Sequence, residues 1–127
     1  MPTRPIIAVV DDDPVMINIL ERLLTRNGYD TRTWIVDSSV NTLIRDAMPD
    51  VLVLDMSLGA ISGWQVLDWI RIQPETCHIP IIVCSGDVML LGEKADRLRA
   101  MNCKVVMKPF MFGELLDSIS TALDHAA

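Results

Sequence analysis

Residues 6–28 read IIAVVDDDPVMINILERLLTRNG, and this stretch decides the fold. Ile6 to Val10 are apolar at every position, the pattern of a central strand covered on both faces. Three acids follow at once. Asp13 then offers an N-cap with Pro14 at the first helical position, apolar residues recur at Met16, Leu20, Leu23 and Leu24, and Asn27-Gly28 supplies a stop. The unit is strand, acidic turn, helix.

The same alternation continues along the chain. Residues 30–35 (DTRTWI) alternate in polarity, as a strand nearer an edge does. Asp37 or one of the following serines caps a short helix with Val40, Leu43, Ile44 and Ala47 inward, and Pro49 ends it. Residues 51–54 (VLVL) make a second fully apolar strand running into Asp55. A loop through Gly59 leads to Ser62 and a helix with Val66, Leu67 and Ile70 inward, closed by Pro74. Residues 80–84 (PIIVC) form the fourth strand. Leu91, Ala95 and Leu98 mark the next helix, weakened by Gly92, and residues 104–107 (KVVM) the last strand. Phe112, Leu115, Leu116, Ile119 and Leu123 give the final helix a continuous apolar stripe.

Five strand-helix units with right-handed crossovers predict an α/β fold, a single doubly wound parallel sheet of (βα)5 form with helices on both faces. At 127 residues there is room for one ordinary domain, spanning 1–127, without linker or repeat. Half of the residues are apolar and 22% are charged, which is the balance of a chain that folds alone.

The formal charge of −6 disfavours direct nucleic-acid binding, which needs a surplus of Lys and Arg. Cys77, Cys84 and Cys103 form neither a CxxC pair nor a zinc pattern, and read as buried free thiols in a reducing compartment. No run of about 18 apolar residues is present to span a bilayer, and MPTRP leads straight into a strand-like segment without a signal-peptide pattern. The expected location is the cytoplasm.

Four strands each deliver polar residues as they end: Asp11, Asp12 and Asp13 after the first, Asp55 after the third, Ser85 after the fourth and Lys108 after the fifth. In a parallel sheet these ends share one edge, which is where ligands bind. Carboxylates crowded there repel one another, and a hard divalent ion relieves the repulsion. Magnesium takes one or two protein carboxylates together with waters and phosphate oxygens, and the absence of His and Cys at these ends argues against zinc. A carboxylate such as Asp55 can attack a phosphoryl group, while Lys108 and the Ser85 hydroxyl could neutralise and hold its oxygens. Each residue also has a plainer reading. Asp13 before Pro14 is read as a cap, Ser85 alone would be a turn hydroxyl, Lys108 alone a solvated lysine, and the Cys and Met residues packing.

In order along the chain, VVDDDP (9–14), PDVLVLDMSLGAISG (49–63), IPIIVCSG (79–86) and VMKPF (106–110) resemble the signature segments of the response-regulator receiver family, over essentially the whole length. The resemblance implies a flavodoxin-like strand order 2-1-3-4-5. It implies that Asp55 accepts a phosphoryl group from a histidine kinase or phosphotransfer protein. Asp11 and Asp12 would hold Mg2+ directly or through water, with Asp55 and the Ser57 backbone carbonyl as further ligands. Ser85 and Lys108 would bind the phosphoryl oxygens, and the Lys108-Pro109 bond would be cis.

Three residues depart from the family pattern. Gly59 stands where Pro is usual, Ser85 replaces the commoner Thr, and Val105 occupies a position where many members carry a Tyr or Phe that turns inward on activation.

The expected function is a phosphorelay switch without enzymatic turnover beyond slow autophosphorylation from small donors and autodephosphorylation. Phosphorylation draws in Ser85, residues 86–90 rearrange, and the fourth helix, fifth strand and fifth helix change affinity for a downstream protein. One alternative is a pseudo-receiver acting as a constitutive interaction module, which Val105 motivates. Another is a receiver excised from a larger regulator or hybrid kinase. A phosphatase of the haloacid dehalogenase type would need an acid two residues after Asp55, and Ser57 stands there.

Overall fold

The computed structural model describes residues 4–35, 40–56, 63–85, 93–107 and 112–126. Strands β1 (Ile6–Asp11), β2 (Asp30–Ile35), β3 (Val51–Asp55), β4 (Ile81–Ser85) and β5 (Cys103–Met107) alternate with helices α1 (Pro14–Arg26), α2 (Val40–Ala47), α3 (Gly63–Ile72), α4 (Glu93–Ala100) and α5 (Phe112–Ala126). The strands form one sheet in the order β2-β1-β3-β4-β5, and every neighbouring pair is parallel. The doubly wound expectation holds, with the polar-alternating β2 at an edge.

Strand periodicity explains the layering. Because successive side chains point to opposite faces, Ala8, Val10, Leu52, Leu54 and Val83 meet α2, α3 and α4 through Ile44, Leu67 and Leu98. Ile7, Val9, Val51, Val53 and Ile82 meet α1 and α5 through Leu20, Leu24, Leu115 and Ile119. These side chains are almost wholly buried, and each Val, Leu or Ile so buried contributes about 1.5–3 kcal/mol. The run of unbroken apolar residues in β1 and β3 is therefore the signature of two packed faces.

Local chemistry sets the helix ends. The Asp13 carboxylate accepts from the Val15 backbone N–H at 3.0 Å and caps α1, with Pro14 opening the helix. Gly28 ends the unit with φ +91°, a left-handed conformation in which a side chain would be strained.

Along α1 the expected apolar positions face the core: Leu20 and Leu24 are buried, and Met16 and Leu23 are half-buried against it, with Ile17 buried beside them. Other expectations are corrected. The inward stripe of α5 omits Phe112, which stands at the first turn and is 41% exposed. Cys77 is exposed rather than buried. It sits in the turn after α3, where Thr76 takes the interior place and donates its hydroxyl to the Ile70 carbonyl at 2.8 Å. The expected helix residues Leu91 and Gly92 and the capping candidates Asp37 and the two serines after it lie outside the described residues.

Candidate functional site at the carboxyl edge of the sheet

Strand register determines what meets at the edge. Val10 pairs with Leu54, so the next residues, Asp11 and Asp55, leave adjacent strands side by side. Both are buried, at 3% and 4% exposure, whereas Asp12 is exposed. One carboxylate oxygen from each of Asp11, Asp12 and Asp55 lies within 4.8 Å of the others. Convergence of the acids from two strand ends is thus a feature of the structure.

Backbone contacts fix the two buried acids. The Asp13 N–H donates to the Asp11 carboxylate at 3.0 Å, so the turn that starts α1 also orients Asp11. Beyond Asp55, the Met56 N–H donates to the Cys84 carbonyl at 3.2 Å and keeps the chain running along β4. Asp55 itself pairs with Cys84 in the ladder, which places Ser85 one step further along the same edge. Ser85 in turn pairs with Met107, the residue before Lys108.

The site residues expected from the sequence are therefore placed unevenly. Asp11, Asp12 and Asp55 are brought together. Ser85 ends β4 beside them, although its hydroxyl lies outside the described residues. Ser57, Lys108 and Pro109, together with Gly59 and the segment Gly86 to Leu90, also lie outside them. Val105 is half-buried against the core on the α2, α3 and α4 side.

The donor set suits a hard divalent cation. Oxygens bound to one Mg2+ at about 2.1 Å lie at most about 4.2 Å apart, and the three carboxylates are already within 4.8 Å. Small side-chain rotations close the difference. The set is purely oxygen, two of its members are sheltered from water and the third is open to it, which leaves room for the waters that Mg2+ retains.

Sequence reasoning assigned no role to Gly63, the first residue of α3. A Cβ there would lie 3.1 Å from the Asp55 carbonyl oxygen and 2.7 Å from the Met56 Cα, so α3 begins directly on the backbone that carries Asp55. A lone Gly at a helix start is the signal that could have found it. Arg71 was missed too. From the end of α3 its guanidinium donates to the carbonyls of Ile79 at 2.7 Å, Met101 at 2.9 Å, Cys77 at 3.0 Å and Asn102 at 3.3 Å. It ties the turn after α3 to the turn before β5, at the edge opposite the acids.

Burial pushes the Cys103 thiol above its ordinary pKa, and the neighbouring Arg71 guanidinium counters part of that rise. Among the described residues no helix is long and apolar enough to cross a membrane.

The family model for the response regulator receiver domain matches residues 7–120. The phosphate regulon transcriptional regulatory protein PhoB of Rhizobium meliloti is 30% identical over 125 residues, covering 96% of this chain and 53% of PhoB. The polar-differentiation response regulator DivK of Brucella ovis is 26% identical over 121 residues, covering 94% of this chain and 97% of DivK. Among solved structures, the N-terminal domain of a response regulator receiver protein from Methanoculleus marisnigri aligns with a TM-score of 0.75 at 26% identity, over 93% of this chain and 95% of that one. The chain thus spans about half the length of PhoB and nearly all of DivK.

Proposed function

The chain belongs to the response regulator receiver family, and from that membership we propose that it is a phospho-accepting switch whose acceptor is Asp55. The observation that carries the proposal is the meeting of Asp11, Asp12 and Asp55 at one sheet edge. Three carboxylates so close are mutually repulsive. A site that takes up a divalent cation and a phosphoryl group gives that arrangement a purpose.

In this reading the fold holds the Asp55 carboxylate at the end of β3, and one of its oxygens attacks phosphorus. The bond from phosphorus to the donor, a phosphohistidine on a kinase or phosphotransfer protein, breaks as the acyl phosphate forms. Asp11 holds its orientation through the Asp13 N–H and, with Asp12 and the Ser57 carbonyl, would hold Mg2+. The ion supplies charge neutralisation to the phosphoryl oxygens when bound. Ser85 and Lys108 would bind those same oxygens, since the register of β4 and β5 brings both strand ends to this edge. The protein makes no product beyond its own phosphorylated form and loses that phosphate slowly.

Residues 1–127 would act as one receiver domain, either alone or within a larger regulator. The downstream partner would be a protein docking on α4, β5 and α5. A net charge of −6 leaves direct nucleic-acid binding disfavoured. Incubation with acetyl phosphate or phosphoramidate and MgCl2 tests the reading. The expected result is a mass gain of one phosphoryl group that Asp55→Asn abolishes. No gain with any donor would leave a constitutive interaction module.

A further inference from the structure

The first turn of α3 rests on the backbone of the acceptor, because Gly63 brings no side chain of its own and the space a Cβ would take is filled by Met56 and the Asp55 carbonyl. Trp64, the next residue, carries on its ring the guanidinium of Arg97 from α4, with the guanidinium carbon 4.3 Å from the ring centroid. The same guanidinium lies 3.5 Å from the carboxylate of Asp68, one helical turn further along α3. A single α4 side chain is thus held by two residues on one face of α3.

This grip matters because the described side chains of α4, residues 96–100, offer little else to hold it. Its sequence, EKADRLRA, is strongly polar, and among residues 96–100 only Leu98 is buried. A helix of eight residues does not persist in water by its own propensity. Leu98 anchors α4 against the sheet, while Arg97 ties it to α3. A short polar helix with one buried residue among its described side chains sits toward the low end of local stability. A weak contact is then enough to bias their position.

We propose that the Trp64–Arg97 contact transmits the chemical state of Asp55 to α4, which makes Arg97 a positioning residue for the output surface. The proposal rests on Asp55 being the phospho-acceptor. Adding a phosphoryl group there displaces the Asp55–Met56 backbone. Since Gly63 leaves no slack, the start of α3 moves with it, and Trp64 shifts beneath Arg97. A cation over a partly buried ring changes a two-state equilibrium by at least about two- to fivefold, so loss or gain of this contact redistributes α4 by about that factor. The route needs no aromatic ring on β5, where Val105 stands.

Coupling of this kind is established by perturbing the link and not by proximity. Trp64 emission is to be read in the full chain carrying Trp34→Phe and Trp69→Phe, with the phosphorylation state of the same sample measured by intact mass. Acetyl phosphate with MgCl2 should produce the mass gain together with a change in Trp64 emission. Arg97→Ala should keep the mass gain and lose most of the emission change, and Arg97→Lys should recover part of it. An emission change as large in Arg97→Ala as in the parent, or a mass gain with no emission change, overturns the proposal alone. No mass gain overturns both the proposal and the acceptor reading. If the double Phe variant does not fold, amide hydrogen exchange across residues 93–100 of the otherwise native chain serves instead. Phosphorylation should alter it about two- to fivefold in the native chain, and an equal change in Arg97→Ala would overturn the proposal.

Discussion

Gly63 and Met56 approach so closely that a methyl group on Gly63 would stand 2.7 Å from the Met56 Cα and 2.8 Å from its sulfur. Neither the backbone of β3 nor the start of α3 can yield without displacing Asp55. Gly63→Ala should therefore destabilise the fold by about 1–3 kcal/mol and slow labelling of Asp55 by acetyl phosphate. Urea unfolding and initial labelling rates measure the two effects. A variant as stable and as fast as the native chain would mean that the contact has slack.

Asp11 lies buried beside two other carboxylates, and its own oxygen accepts the Asp13 N–H. Asn at this position keeps that acceptor and removes one charge. In EDTA, Asp11→Asn should be the more stable protein by about 1 kcal/mol, the size of one relieved repulsion near water. Addition of MgCl2 should raise the melting temperature of the native chain and do much less for the variant. Equal stabilisation by Mg2+ would remove Asp11 from the ion site.

Arg71 gathers four carbonyls from two turns, those of Cys77 and Ile79 after α3 and those of Met101 and Asn102 before β5. Arg71→Met keeps the length of the side chain and removes every donor. It should cost about 2–3 kcal/mol in urea unfolding, since hydrogen bonds from a charged group are among the stronger ones. Arg71→Lys should recover only part, because an ammonium cannot fork between the two turns. A loss within about 0.5 kcal/mol for the Met variant would make Arg71 an ordinary surface residue.

Cys103 is buried, and its thiol holds its proton to higher pH than the ordinary value of 9.0. Above that value the unfolded chain loses the proton first. Stability from this group is thus intact below about pH 9 and falls as the pH rises through the folded pKa. The difference in unfolding free energy between the native chain and Cys103→Ala should be flat at neutral pH and shrink with increasing alkalinity. Parallel profiles across that range would contradict the assignment.

Much of this architecture was legible in the sequence for a simple reason. Short apolar runs such as IIAVV and VLVL, each bounded by turn signals, read as strands buried on both faces, and acids at the ends of parallel strands emerge at a shared edge. The pairing of Val10 with Leu54 turned that inference into side-by-side carboxylates. Asp13-Pro14 likewise announced a capped helix, and α1 begins there. The misreadings have physical causes as well. Phe112 fits the helical period of α5 but stands exposed at its first turn. Cys77 was assigned by residue type, whereas its turn buries Thr76. Contacts such as Arg97 with Trp64 join elements far apart in the chain and leave no local pattern to read.

Reductive trapping tests the central claim most directly. The chain is treated with acetyl phosphate and MgCl2, then with borohydride, which reduces an acyl phosphate to the corresponding alcohol. Peptide mass mapping should find homoserine at position 55 and unchanged Asp at positions 11 and 12, with no conversion when EDTA replaces MgCl2. Conversion at another acid, or conversion at 55 that persists in EDTA, would contradict the account.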